Sequence, residues 1–142
     1  MATHEQAGTD PGRPLLRLTS VTVGTDDPHG LAHFYARLLG WPVGVDEPPG
    51  PDEPGGSAQI GPPRGQPGPT LSFEYEQHFA RPVWPAVAGE QVASQHLDIQ
   101  VEDLDAATAW AVAQGATLAD AQPQADVRVL RDPSGHPFCL FR

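Results

Sequence analysis

The sequence predicts an α+β protein of two βαβββ modules, their strands forming a curved mixed sheet around a trough. Two observations carry this expectation. Residues 94–105 read as a strand running into a capped helix, with Leu97, Ile99 and Val101 on one face and His96, Asp98 and Gln100 on the other. Residues 20–27 repeat that layout: Ser20 lies seven residues before Asp27, and His96 seven before Asp103. Phe34 lies seven after Asp27, and Trp110 seven after Asp103. Each helix then meets a glycine, Gly40 or Gly115, and three short strands follow, so the shared register argues for duplication.

Taken in order, residues 1–15 are polar and without periodicity and read as a disordered leader, with His4 incidental. Residues 16–25 alternate as a strand through Leu16, Leu18, Val21 and Val23, with a parity slip near Thr19 that reads as a bulge. Asp27-Pro28 supplies an N-cap and a proline at the first helical position, where its missing N–H costs nothing. Leu31, Phe34, Tyr35 and Leu38 follow at helical spacing, and Gly40 suits a left-handed C-terminal position before Trp41-Pro42. Short strands are expected at 43–46 and 57–60, separated by a Pro/Gly loop that has no place inside a sheet. A further Gly/Pro loop leads into the alternating strand at 70–75, which completes a first module over residues 16–76. Residues 77–92 form the connector. Pro82 and Pro85 exclude a central strand there and leave Trp84 on a surface, over a pocket or at a subunit contact.

The second module spans residues 93–142. Asp103 caps a helix of roughly ten residues ending near Gly115, followed by strands at 117–119, 127–131 and 137–141. Between the last two, Asp132-Pro133-Ser134-Gly135 places Pro and Gly where a type I turn wants them, and the turn accounts for His136 through backbone contact.

Composition narrows the function classes. The 142 residues suffice to bury a core without disulfides, and the single cysteine, Cys139, has no intrachain partner. No apolar run crosses a bilayer and no charged segment with an apolar h-region opens the chain, so a cytoplasmic location is expected. A formal net charge of −10 with scattered basic residues argues against nucleic acid and anionic membranes as partners. The Gly/Pro loops do not lead from a strand into a helix, and no phosphate-binding loop, dinucleotide fingerprint, Cys-pair zinc motif or nucleophile elbow occurs.

A strand–helix–three-strand unit packs one sheet face on its helix and leaves the other open; two such units curl their open faces into a shared trough, the natural ligand site. His96 and Asp98 stand on the open side. The residues leave open a hydrogen-bonded lining pair or a proton-abstraction pair in which Asp98 orients His96. Cys139 sits between core-facing Phe138 and Leu140, so its sulfur is on the trough side; it reads as a nucleophile paired with His96, a soft ligand, or a small inert apolar residue. Phe34 and Trp110 are core by their repeat-equivalent helix positions, while Trp84 is either a stacking lid or an edge or dimer contact.

Residues 20–41, 96–115 and 132–140 resemble the vicinal oxygen chelate superfamily, and within it the small glyoxalase-like proteins of the glyoxalase/bleomycin-resistance/dioxygenase group. The resemblance covers about residues 16–142 and implies the glyoxalase-like fold and a homodimer. It also implies a divalent metal ion held by inward His and Glu side chains. Carried over, the first-strand histidines fall on Ser20 and His96, and the last-strand glutamates on Ser72 and Cys139. Only His96 keeps a usual ligand type, with Asp98 and Glu74 each two residues along an inward face. The expected catalytic residues are His96 and Asp98, the expected metal ligand His96, and the expected ligand-binding residues Ser20, Thr22, Ser72, Glu74, Trp84, Cys139 and Phe141. Two functions follow. One is a lyase or isomerase acting next to a carbonyl of a small organic molecule bound in the trough; the alternative is a non-catalytic protein sequestering a hydrophobic metabolite or antibiotic.

Overall fold

Asp27 sets the geometry of the first module in the computed structural model, which describes residues 10–142. Its carboxylate accepts from the Gly30 N–H at 3.0 Å and its carbonyl from the Leu31 N–H, so the chain leaving strand β1 (Ser20–Thr25) turns at once into helix α1 (Pro28–Leu39). Such a cap contributes about 1 kcal/mol. Gly40, at φ +69°, ends the helix, and strands β2 (Val43–Glu47), β3 (Ser57–Ile60) and β4 (Thr70–Tyr75) follow. They pair in the order β1-β4-β3-β2, with β1 parallel to β4 and the rest antiparallel.

The second module repeats this order. Strand β5 (Leu97–Gln100) enters helix α2 (Leu104–Gln114) through Asp103, which accepts from the Ala106 N–H at 3.0 Å. Strands β6 (Thr117–Leu118), β7 (Val127–Arg131) and β8 (Pro137–Phe141) complete the sheet β5-β8-β7-β6, with β5 parallel to β8. The duplication extends to the pairing register. Thr22, five residues before Asp27, stands beside Ser72; Asp98, five before Asp103, stands beside Cys139.

The helices fill the space between the modules. Leu31, Phe34 and Tyr35 of α1 are buried with Phe73 of the first sheet and Phe138 and Leu140 of the second. Tyr35 stacks on Phe73 at 5.8 Å between ring centroids, and Phe34 meets Phe138 edge-on at 5.9 Å, arrangements that aromatic quadrupoles favour. Polar bonds cross the same boundary. The Tyr35 hydroxyl donates to Asp132 Oδ2 at 2.7 Å, while Asp132 Oδ1 accepts from the N–H groups of Ser134 and His136. Thr25 and Ser134 share a buried hydroxyl bond of 2.7 Å. Burial pushes the Asp132 carboxyl up from its ordinary value, against the Tyr35 bond that favours its charged form. Burial, followed by the Asp132 charge, holds the Tyr35 phenol well above its ordinary value, so it remains a donor.

Several expectations change. Residues 1–9, including His4, lie outside the described residues, so the leader is seen only from Asp10 onward. The first strand begins at Ser20, and Leu16 and Leu18 are 77% and 79% exposed. Its partner β4 begins only at Thr70, behind a Gly/Pro loop, so the residues before Thr19 have no ladder to join. The irregularity in the first sheet lies between Val43 and Val45. Trp110 is half exposed because α2 rests on its sheet through Leu104, Ala107 and Ala111. Small residues seat that helix close, and the indole turns aside to donate to the Leu38 carbonyl at 3.2 Å. His136 reaches beyond its own turn, donating from Nε2 to the Gly24 carbonyl at 2.8 Å. No helix among the described residues is long and apolar enough to cross a membrane.

Replacing Tyr35 by Phe leaves Asp132 Oδ2 buried without its donor, so Y35F should lose about 1–3 kcal/mol in urea unfolding. An unchanged midpoint would show that this bond does not hold the modules together.

Candidate functional site

The parallel pairing of β5 with β8 sets Asp98 beside Cys139, and the residue just before β5 is His96. Side chains two apart on one strand face start about 6–7 Å apart; here they converge, His96 Nδ1 lying 3.1 Å from Asp98 Oδ1. One ligand atom from each of His96, Asp98 and Cys139 lies within 4.8 Å of the others. Burial pushes the Cys139 thiol above its ordinary value, and the Asp98 charge and hydrogen bond push the same way. Both effects favour the thiol over the thiolate at Cys139.

These residues line a cleft of about 430 Å³ with Phe141, Gln124, Asp126, Val127 and Arg142. Asp126 and Arg142 are missed by reading along the chain. They arrive because Val127 pairs with Phe141, and the Arg142 N–H donates to the Asp126 carbonyl. Among the described residues, Arg142 is the one Lys or Arg in this lining.

The other expected site residues lie elsewhere. Ser20 and Thr22 are exposed on β1, and Ser72 is 5% exposed between Thr22 and Gln59 in the middle of the first sheet. Glu74 lines a separate hollow of about 470 Å³ with Tyr75 and residues 52–57. Trp84 is half-buried on the connector, its carbonyl accepting from Arg131, and it lines neither hollow. A third hollow of about 500 Å³, at Gly24, Phe79, Val92 and His136, is larger, but its His136 is engaged with Gly24 and edge-on to Phe79. Chemistry rather than size selects the cleft at His96.

The donor set there can be tested against a divalent ion. A nitrogen, a carboxylate oxygen and a sulfur suit a tetrahedral zinc-class ion with one open position and fit poorly the all-oxygen shell of magnesium or calcium. Ser20 and Ser72, on the other sheet, add no strong ligand.

The family model for the Glyoxalase-like domain matches residues 20–141. No curated protein sequence matches the chain. Among solved structures, the chain is similar to a glyoxalase family protein from Enterococcus faecalis, with TM-score 0.63 and 20% identity over 89% of this chain and 97% of that one. It is also similar to TnmS3, an antibiotic binding protein from Streptomyces sp. CB03234, with TM-score 0.55 and 20% identity over 91% and 97% of the two chains. A third is the fosfomycin resistance protein FosX from Listeria monocytogenes, complexed with Mn(II) and 1S,2S-dihydroxypropylphosphonic acid. There the TM-score is 0.61 and the identity 11%, over 91% of this chain and 90% of that one. At these identities the likeness is one of fold.

Alkylation of Cys139 by iodoacetamide in chelator-treated protein should rise with pH around a midpoint above the ordinary thiol value. D98N removes a charge that opposes the thiolate, so its midpoint should move down; an upward or absent shift contradicts the Asp98–Cys139 contact.

Proposed function

The chain belongs to the glyoxalase-like domain family, and from that premise we propose that it binds a small organic molecule in the His96 cleft and moves a proton next to its carbonyl. The observation that carries the reading is the convergence of His96 on Asp98 at 3.1 Å beside Cys139. With Nδ1–H donated to Asp98, the other ring nitrogen of His96 is the base. In a 2-hydroxy carbonyl compound it takes the proton from the hydroxyl-bearing carbon, and the C–H electron pair moves into an enediolate. The hydroxyl proton passes to the former carbonyl oxygen, and the imidazolium returns its proton to the former carbonyl carbon, leaving the hydroxyl and carbonyl exchanged. Asp98 orients the ring and balances its positive charge. Arg142 offers a cation to the enediolate oxygen. A zinc-class ion held by His96, Asp98 and Cys139 would supply Lewis acidity to the same oxygen, and because it would take a His96 nitrogen it would be an alternative to His96 acting as the base.

A second reading is sequestration without turnover. It is favoured by a specific observation: the first-module positions Ser20, Thr22 and Ser72 carry only hydroxyls, and the Cys139 thiol is held protonated. The antibiotic-binding role of TnmS3 is compatible with it. Pairing of two copies belongs to either reading, since among the described residues the cleft is lined by the second module alone, leaving the exposed face of β1 in another copy available to cover it.

Hydrogen exchange from D2O into 2-hydroxy ketones, followed by NMR, separates the readings. The proton-transfer reading expects exchange that H96A slows by roughly 10²–10⁴-fold. Ligand-dependent thermal stabilisation without exchange supports sequestration, and neither effect across the panel contradicts both. Light scattering on the same samples should give twice the 15.1 kDa chain mass.

A further inference from the structure

A second cluster of ligating side chains lies away from the cleft. His29 and His33 stand four residues apart on α1, one helical turn, so both imidazoles project from the same face. That face is opposed to the one that buries Leu31, Phe34 and Tyr35. The rings lie 4.4 Å apart between centroids and are tilted by 43°. Asp46 on β2 completes the group. Its carboxylate is 2.9 Å from His29 Nδ1 and 2.9 Å from His33 Nε2, and one ligand atom from each of the three residues lies within 4.8 Å of the others.

We propose that His29, His33 and Asp46 form a site for one divalent transition-metal ion of the zinc, nickel and copper class. Two imidazole nitrogens and one carboxylate oxygen suit that class, whereas magnesium and calcium prefer oxygen throughout. The helix fixes the spacing of two ligands, and β2, already packed on α1, brings the third, so little order remains to be imposed on binding. The cluster is open to solvent, which leaves water in the remaining coordination positions: the side chains of His29, His33 and Asp46 are 69%, 38% and 31% exposed. Asp27 lies near enough to His29 to favour positive charge there, and the whole chain carries a net −10. An ion in this place ties the first turns of α1 to β2. It thereby stiffens the helix whose Tyr35 reaches the second module.

The test is calorimetric titration of tag-free protein with Zn²⁺. An H96A background silences the other cluster, so the result does not depend on the proposed activity. One equivalent should bind, and the unfolding midpoint should rise with Zn²⁺ concentration. H29A/H33A should lose roughly 10-fold or more in affinity, as should D46N in a separate protein, with circular dichroism unchanged. Absence of binding at millimolar Zn²⁺, or binding that survives both variants at full strength, overturns the proposal.

Discussion

The buried contact between the Tyr35 hydroxyl and Asp132 constrains most of what surrounds it. Tyr35 belongs to the helix of the first module and Asp132 to the turn between the last two strands of the second. A carboxyl removed from water tolerates burial only when its oxygens are matched by donors. Asp132 gathers three: the phenol and the N–H groups of Ser134 and His136. The same turn sends the Ser134 hydroxyl to Thr25 and the His136 ring to Gly24, so the end of β1 is held against the start of β8. Gly135 sits at φ +90°, and a Cβ there would come within 2.5 Å of Arg81 Cγ, which explains the glycine at this point.

Two modules with one pairing register carry very different side chains at equivalent places. Thr22 and Ser72, on the parallel pair β1 and β4 of the first sheet, correspond to Asp98 and Cys139 on β5 and β8 in the second. Ser20 corresponds to His96. Hydroxyls hydrogen-bond a ligand but neither accept a proton at neutral pH nor bind a divalent ion tightly, and the first module's carboxylate on β4, Glu74, lines its own hollow, whereas imidazole, carboxylate and thiol come together in the second module. The first module has its own imidazole–carboxylate group, on the outer side of its helix.

Features that depend on neighbours in sequence were legible in it. The Asp27 and Asp103 caps need only a carboxylate three residues before an N–H, and the strands Thr70–Tyr75, Val127–Arg131 and Pro137–Phe141 announce themselves by alternation and flanking turns. Features decided by distant partners were not. The start of β1 is set by where β4 begins, and the exposure of Trp110 by how closely Ala107 and Ala111 let α2 approach its sheet. His136 finds its acceptor 112 residues away. In the cleft, the polar side of β5 and the outward aim of Cys139 follow from strand parity, whereas Asp126 and Arg142 enter only through the β7–β8 register.

The open face of the second sheet is the centre of this account, and the most direct measurement is an amide NMR titration of isotopically labelled protein with a 2-hydroxy ketone. The account predicts saturable shifts centred on His96, Asp98, Cys139 and Phe141, with Arg142 and Asp126 at their margin. Shifts centred instead on the connector hollow at Gly24, Phe79 and His136, with β5 and β8 unmoved, would contradict it.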